Sequence, residues 1–167
     1  MIDLPEFAQK KLVLPETLAV FADGLRRQGL TIATLNGSFD LLHAGHLHIL
    51  FEGAKQADVF LVALNTDDSI KRYKGANRPI IPLTYRLQMM SASACVDFIT
   101  YFDEDDPREI LKKIKPNVHV NGAEWGANCI ESGVVKENGG KMHIVELRPG
   151  LSTSRIVEKI HETYSTV

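Results

Sequence analysis

Short apolar runs alternate with longer segments of helical periodicity along the whole chain. The run DVFLVALN over residues 58–65 is too continuously apolar for a strand with one face in water. Strands that are buried on both faces indicate a parallel sheet covered by helices. The pattern predicts five strands, which are Thr31–Leu35, Asp58–Asn65, Asp97–Phe102, Asn117–Val120 and Met142–Leu147.

Helix signals occupy the segments between these strands. Asp106 and Pro107 provide a capping residue and a proline at a helix start, and Pro116 stops the same helix. Ser152 precedes an apolar-periodic run and therefore predicts a last helix. The other predicted helices cover Pro15–Arg27, Ala44–Gln56, Leu83–Ala94 and Arg108–Lys115.

This alternation predicts an α/β fold, a Rossmann-like doubly wound five-stranded parallel sheet with helices on both faces. A length of 167 residues suits a single domain over 1–167, with residues 1–28 as an N-terminal helical extension. Ligands of such sheets bind beyond the carboxyl ends of the strands, at the switch point. The informative loops are therefore Asn36–His46, Thr66–Pro82, Asn121–Trp125 and Gly150–Ser154.

The charge and composition of the chain limit the classes of molecule that it is expected to bind. The net charge is −2, and no basic tail or stripe is present, so we expect no nucleic acid partner. A local cluster of cations can still attract an anionic small molecule. No apolar run approaches the roughly 18 residues that span a bilayer, and no secretory signal is present, so we expect no membrane partner. Cys95 and Cys129 lie outside any CxxC motif, which is typical of buried thiols in a cytoplasmic protein.

The loop Asn36–His46 reads NGSFDLLHAGH and turns from a strand into a helix. Gly37 lets the backbone approach an anion closely, and the helix after Gly45 presents unpaired N–H groups. The histidines can donate hydrogen bonds to phosphate, which predicts a phosphate site. They could instead be ordinary helix-start residues, or ligate a metal with His48, but no cysteine or carboxylate pattern of a zinc site accompanies them. A dinucleotide fingerprint would need GxGxxG, which is absent.

His43-x-Gly45-His46 after Asn36-Gly37-x-Phe39-Asp40 resembles the signature of the HxGH nucleotidyltransferase superfamily, in its cytidylyltransferase-like branch. The resemblance implies an enzyme that uses a nucleoside triphosphate, and it implies a homodimer. Mg²⁺ is expected to accompany the triphosphate, bound mainly through phosphate and water rather than by a protein cage, so no protein metal ligand is assigned.

The second loop and the helix after it carry five cations in an otherwise acidic protein. The alternative to a phosphate-binding role is an ordinary charged loop exposed to solvent. Nearby glycine and proline argue against a regular helix and favour a mobile lid over phosphates. The stretch resembles the adenylyltransferase domain of bacterial ADP-heptose synthesis, whose loop runs K-R-x-K-G-x-x-R-P and then P and R. The five cations are Lys71, Arg72, Lys74, Arg78 and Arg86.

The third loop departs from that family's pattern. Heptose-phosphate adenylyltransferases usually have V-K-G-G-D-Y where this chain has VNGAEW over residues 120–125. Trp125 resembles instead the D-D-W of glycerol-3-phosphate cytidylyltransferases, or it is a packing aromatic. The loss of a cation at Asn121 leaves the acceptor and the base open.

The stretch Gly150–Ile156 resembles the C-terminal I-S-S/T-S/T-x-x-I signature of the superfamily. Physically it is a serine-capped helix start whose hydroxyls and N–H groups can meet triphosphate oxygens. Arg148 could add charge there or form an exposed salt bridge.

The residue roles that follow are predictions. His43, His46 and Lys74 are expected to contact the reacting phosphates as catalytic residues. Substrate binding is assigned to Asp40, which could alternatively orient its loop, and to Lys71, Arg72, Arg78, Glu124 and Trp125. Nucleotide binding is assigned to Asn36, Gly37, Ser38, Phe39, Gly45, Asn65, Arg86, Asn121, Gly122, Ser152, Thr153 and Ser154.

The first functional hypothesis is the transfer of AMP from ATP to a heptose 1-phosphate-like sugar phosphate, as in the ADP-heptose biosynthesis of lipopolysaccharide. A sugar phosphate is already an ionised nucleophile, since its second pKa is about 6, and so needs no acyl-transfer triad. The alternatives are a CTP-dependent glycerol-3-phosphate cytidylyltransferase and a nucleotide-binding module that has lost catalysis.

Overall fold

A computed structural model describes residues 2–126, 128–146 and 152–165. Five strands form one sheet in the order β3-β2-β1-β4-β5, and every neighbouring pair is parallel. This arrangement confirms the predicted fold class. The strands are β1 (Ile32–Gly37), β2 (Val59–Asn65), β3 (Phe98–Phe102), β4 (Val118–Gly122) and β5 (Lys141–Val145).

Helices cover both faces of the sheet, and successive residues of each strand enter opposite cores. Along β1, Ala33 and Leu35 pack into one buried cluster, whereas Ile32 packs into the other. Every residue of β2 is buried, as its continuous apolar run predicted. The helices are α1 (Glu6–Gln9), α2 (Leu18–Arg27), α3 (Ala44–Ala54), α4 (Asp67–Lys74), α5 (Leu83–Ser91), α6 (Arg108–Ile114), α7 (Ser132–Glu137) and α8 (Thr153–Tyr164).

The first 28 residues pack against the rest of the domain. Leu4 and Ala8 belong to the core cluster that lies on the face of α3 and α5. Leu12 forms a parallel bridge with Ile99 on the edge strand β3, and the N–H of Val13 donates to the carbonyl of Ile99 at 2.9 Å. This segment therefore covers an edge that would otherwise expose unpaired backbone groups.

The segment after β2 differs from the prediction. It was expected to be an irregular lid, but Asp67–Lys74 forms the regular helix α4. The side chain of Thr66 caps this helix by accepting a hydrogen bond from the N–H of Ser69 at 3.1 Å. Asp67 and Asp68 in the first turn complement the helix dipole. These capping signals outweigh the glycine and proline that follow, and the helix ends at Gly75, whose φ is 94°.

Candidate active site

A cavity of about 690 Å³ opens at the carboxyl edge of the sheet, around the ends of β1 and β4. β1 lies between β2 and β4, so this edge is the topological switch point where such sheets bind ligands. The cavity brings together sixteen of the predicted site residues: Asn36, Gly37, Ser38, Phe39, His43, Gly45, His46, Asn65, Lys74, Asn121, Gly122, Glu124, Trp125, Ser152, Thr153 and Ser154.

Phe39 shapes the loop that leads from β1 into α3. Its φ of 46° places a non-glycine residue in the left-handed region, a strained conformation that concentrates at functional sites. The ring of Phe39 lies against His46, with 5.4 Å between ring centroids. A Cβ added to Gly37 would lie 3.1 Å from the same ring. Any other residue at position 37 would therefore force the ring of Phe39 to shift.

The two histidines of the loop form a stacked pair. The ring centroids of His43 and His46 lie 3.9 Å apart, with an interplanar angle of 24°. The Nδ1 atoms of both rings are buried and have no hydrogen-bond partner in the structure. Buried polar atoms are nearly always satisfied, so these two nitrogens require a partner such as water or a ligand.

Both histidines are held in the neutral form. Burial, together with the neighbouring His43 and Lys74, lowers the pKa of His46 to about 4. Burial also lowers the pKa of His43. A neutral imidazole offers one N–H donor, so the pair acts on an incoming phosphate through hydrogen bonds. A bound phosphate would in turn favour the protonated forms, because opposite charges attract.

Lys74 is the cation that α4 contributes to the cavity. Its ammonium donates a hydrogen bond to the Ser38 hydroxyl at 2.9 Å, which joins the end of α4 to the phosphate loop. Burial lowers the pKa of Lys74, and Arg78 adds to this shift.

Lys71 and Arg72 do not line the cavity, and their predicted contact with substrate stays a prediction. Lys71 forms an ion pair with Asp68 at 2.9 Å on the exposed side of α4. Arg72 pairs with Asp105 at 2.5 Å and also contacts Asp103. Arg72 lies two positions from Lys74 and therefore on another side of the helix. Lys71 lies three positions from Lys74 and is held on the exposed side by its ion pair with Asp68.

We therefore expect Lys74→Met to lower kcat/KM for the triphosphate at least tenfold, while Lys71→Met changes it less than threefold. The reason is that Lys74 lines the cavity and Lys71 does not. Lys71 forms an exposed ion pair, and such pairs contribute little to stability. Steady-state pyrophosphate release from the two purified variants measures the difference. Equal losses in both variants would contradict this placement of the cations.

Asp40 makes contacts that fit one of its two predicted roles, the orientation of its loop. It is 1% exposed, and its carboxylate accepts hydrogen bonds from the N–H groups of Ile80 and Ile81 at 2.9 and 2.8 Å. Arg78 pairs with the same carboxylate at 2.7 Å, which tethers the second loop to the first. Neither Asp40 nor Arg78 lines the cavity, and their contact with a substrate stays a prediction.

Arg86 is a fully buried clamp rather than a phosphate ligand. It is 0% exposed and lies outside the cavity lining. Its guanidinium donates to the carbonyls of Ile81, Ser38 and Asn65 at 2.9, 2.6 and 2.9 Å, and pairs with Asp67 at 2.7 Å. This set of acceptors joins the ends of β1 and β2 to the start of α5, which corrects the prediction of nucleotide contact.

The loop after β4 is shaped by its own side chains. Asn121 is buried, and its Oδ1 accepts a hydrogen bond from the N–H of Gly122 at 3.1 Å. The carboxylate of Glu124 folds over Gly122 and occupies the space that a Cβ would need. Trp125 is 67% exposed at the cavity wall, so it does not serve as a core-packing aromatic.

The start of α8 completes the cavity. The Ser152 hydroxyl accepts a hydrogen bond from the N–H of Arg155 at 3.2 Å, the cap that its sequence predicted. The predicted sites at Arg148 and Gly150 lie outside the described residues.

Some lining residues were not predicted. Cys129, Ile130 and Glu131 enter the cavity just before α7, a helix that the sequence pattern did not indicate. The sequence signal for α7 was weak, because this helix spans only six residues and follows a loop without a recognised motif. Asp106 and Pro107 also line the cavity, and they were interpreted only as helix-start residues. Asp105 lines it as well and was not predicted.

Across the described ranges, no helix has the length and apolar character needed to cross a membrane.

The fold and the site define an α/β protein with a ligand cavity at the switch point of its sheet. The family model described as cytidylyltransferase-like matches residues 34–167, and the chain belongs to this family. The protein is therefore an enzyme of the nucleotidyltransferase class, which agrees with the resemblance seen in the sequence.

Curated relatives carry the name bifunctional protein HldE. The one from Syntrophotalea carbinolica is 35% identical over 155 residues, which cover 92% of this chain and 32% of that protein. The one from Azorhizobium caulinodans is 40% identical over 149 residues, which cover 89% of this chain and 31% of that protein. The chain thus spans about a third of the length of the curated relatives it matches.

Solved structures share the fold. The lipopolysaccharide core biosynthesis protein from Thermoplasma volcanium superposes with a TM-score of 0.58 at 28% identity, covering 72% of this chain and 98% of that one. Pantoate-beta-alanine ligase from Francisella tularensis gives a TM-score of 0.57 at 14% identity, covering 90% and 78% of the two chains, and this likeness concerns the fold alone.

Proposed function

We propose that the protein transfers AMP from ATP to a heptose 1-phosphate-like sugar phosphate, forming an ADP-sugar and releasing pyrophosphate. The observation that carries the proposal is the stacked pair of His43 and His46, whose buried Nδ1 atoms have no partner in the structure. The pair lies in the switch-point cavity together with Lys74 and the start of α8.

The proposed reaction is a single displacement at phosphorus. A phosphate oxygen of the sugar phosphate attacks the α-phosphorus of ATP, and the bond from that phosphorus to the bridging oxygen of the β-phosphate breaks. Pyrophosphate leaves with the electron pair. The protein's contribution is in-line positioning and stabilisation of charge on the phosphate oxygens. We assign that stabilisation to His43, His46 and Lys74, with N–H groups at the start of α8.

Mg²⁺ is proposed to enter as part of the triphosphate substrate. Among residues 2–126, 128–146 and 152–165, no group of three metal-binding side chains is present. Mg²⁺ usually keeps phosphate oxygens and water as ligands, and the proposal assigns it no protein ligand.

Two kinds of observation support the heptose 1-phosphate-like acceptor. The sequence over 71–79 resembles the loop of adenylyltransferase domains of bacterial ADP-heptose synthesis. The relatives named HldE and the structural neighbour named for lipopolysaccharide core biosynthesis are consistent with such a pathway.

A CTP-dependent glycerol-3-phosphate cytidylyltransferase is the second candidate, and one residue favours it. Trp125, which resembles the tryptophan of those enzymes, is 67% exposed at the cavity wall. An exposed aromatic ring there is free to stack on a ligand.

A substrate panel tests the proposal. Pyrophosphate release is followed with ATP or CTP, each combined with D-glycero-β-D-manno-heptose 1-phosphate or glycerol 3-phosphate. We expect the pair of ATP and heptose 1-phosphate to exceed every other pair at least tenfold in kcat/KM. A preference for CTP and glycerol 3-phosphate would select the second candidate, and nucleotide binding without turnover of any pair would select a non-catalytic module.

A further inference from the structure

The cavity has an acidic lining, although the ligand proposed for it is an anion. Four carboxylates line it, and they belong to Asp105, Asp106, Glu124 and Glu131. Among the described residues of its walls, Lys74 is the one lysine or arginine, and burial keeps the two lining histidines neutral. Like charges repel one another, so a lining of this composition opposes the binding of a triphosphate unless some of its charge is compensated.

Two of these carboxylates are paired with arginines that lie outside the cavity. Nη2 of Arg108 lies 2.7 Å from Oδ2 of Asp106, and its Nε lies 2.8 Å from Oδ1. Nε of Arg72 lies 2.5 Å from Oδ1 of Asp105. Neither arginine lines the cavity. Each guanidinium therefore neutralises a carboxylate of the wall without occupying the space that a ligand would fill.

The two ion pairs differ in the parts of the chain that they join. Arg108 lies two residues after Asp106, so that contact is local to the start of α6. Arg72 lies on α4, 33 residues before Asp105, and its guanidinium also donates to the carbonyl of Asp103. Its Nη1 lies 3.7 Å from the carboxylate of Asp103. A network of this kind is more effective than an isolated exposed ion pair.

The helix α4 thus contributes two cations that meet the cavity in different ways. Lys74 lines the cavity itself, where its ammonium contacts the Ser38 hydroxyl. Arg72 instead contacts the loop between β3 and α6, on which α4 also docks through the Ser69 hydroxyl, a donor to the carbonyl of Glu104 at 2.8 Å. Arg72 is therefore fixed to the acidic wall from its outer side.

We propose that Arg72 is the counter-ion of Asp105, and that it assists the binding of an anionic triphosphate by cancelling the repulsion of the acidic wall. Arg72 is then a positioning residue, which acts through Asp105 and makes no contact with phosphate. This proposal rests on the proposed function, because it takes the ligand of the cavity to be a nucleoside triphosphate.

The proposal predicts a particular coupling between the two residues. Removal of Arg72 alone leaves the charge of Asp105 uncompensated beside the ligand, so binding weakens. Removal of both charges leaves a neutral wall, so binding recovers. An arginine that contacted phosphate directly would show no such recovery, because its own contact would stay lost.

Titration calorimetry with MgATP, without acceptor, measures this coupling. The variants are Arg72→Gln, Asp105→Asn, the double variant and Arg72→Lys, which keeps the charge. Arg27→Gln is the matched control, because Arg27 is an exposed arginine on α2. Each protein is titrated at an ionic strength of about 0.01 M and again at about 1 M, where charges are screened within a few ångströms.

We expect Arg72→Gln to weaken MgATP binding about fivefold at low ionic strength, the upper range for a partly exposed ion pair, and less than about twofold at high ionic strength. The double variant, Arg72→Lys and Arg27→Gln should bind within about twofold of the wild type under both conditions. Asp105→Asn should bind as tightly as the wild type or more tightly, since it removes a negative charge from the wall.

Four outcomes would overturn the proposal. Unchanged binding by Arg72→Gln would show that Asp105 needs no counter-ion. A loss that the double variant retains would place Arg72 on the ligand. A loss that persists at high ionic strength would make Arg72 a support of the loop rather than a compensating charge. Weaker binding by Asp105→Asn alone would make Asp105 a ligand contact.

The binding readout keeps this proposal distinct from the proposed function. Coupling of Arg72 to Asp105 without any pyrophosphate release would refute the transfer reaction and support the counter-ion. Pyrophosphate release without such coupling would do the reverse. MgCTP should show the same pattern of losses as MgATP, because the effect depends on the charge of the triphosphate and not on its base.

Discussion

Replacing His46 with alanine is expected to lower kcat about a hundredfold, a loss of roughly 3 kcal/mol of transition-state stabilisation. The ring of His46 is stacked on His43, and its Nδ1 atom is buried without a partner in the structure. Its depressed pKa, about 4, makes it a neutral hydrogen-bond donor whose contribution grows as charge develops on the phosphate oxygens. The loss should therefore appear mainly in kcat.

Single-turnover and steady-state pyrophosphate release, with circular dichroism to confirm folding, measure this effect. His48→Ala is the matched control, because His48 lies on the same helix and does not line the cavity. A His46→Ala enzyme that keeps wild-type kcat would remove the histidine pair from the mechanism.

Arg86→Met is expected to lower the free energy of unfolding by about 3 kcal/mol or more, the usual cost of removing one partner from a buried ion pair. The methionine fills much of the space, but Asp67 and the carbonyls of Ser38 and Asn65 lose their donor. The loop from β1 should also lose its fixed position, so catalytic activity should fall in the fraction that stays folded.

Urea denaturation at pH 7 measures the change in stability. Arg27→Met on the exposed side of α2 provides the matched control, and we expect it to change stability by less than about 0.5 kcal/mol. A loss below about 1 kcal/mol for Arg86→Met would mean that the clamp is not a main support of the phosphate loop.

The sheet could be predicted because burial on both faces leaves a direct trace in the sequence. The run that became β2 has no polar interruption before Asn65, and all of its residues are buried. The HxGH loop was predictable for a related reason, since a strand-to-helix turn needs glycine and short polar residues at fixed positions.

The cations of the second loop and of α5 show that the position of a charged side chain could not be predicted from the sequence. Lys71, Arg72 and Lys74 were interpreted as one charged lid, but only Lys74 lines the cavity, whereas Lys71 and Arg72 form ion pairs with Asp68 and Asp105. Arg86 has the charge of a phosphate ligand, and its burial depends on carbonyls that come from distant loops.

His119 gives a second example from the core. It is the second residue of β4, where it is 1% exposed and hydrogen-bonds Thr34 at 2.7 Å. Burial lowers its pKa to about 3, so it is a neutral structural residue. His119 lies outside any HxGH motif, but the strand pairing that buries it and gives it Thr34 as a partner could not be predicted from its local sequence.

Transfer of label from [α-³²P]ATP tests the central claim most directly. With D-glycero-β-D-manno-heptose 1-phosphate as acceptor, the account predicts that label moves into an ADP-sugar while the released pyrophosphate stays unlabelled, and that His46→Ala slows this transfer about a hundredfold. Label that remained in ATP, or that appeared in ADP with release of inorganic phosphate, would contradict nucleotidyl transfer at this site.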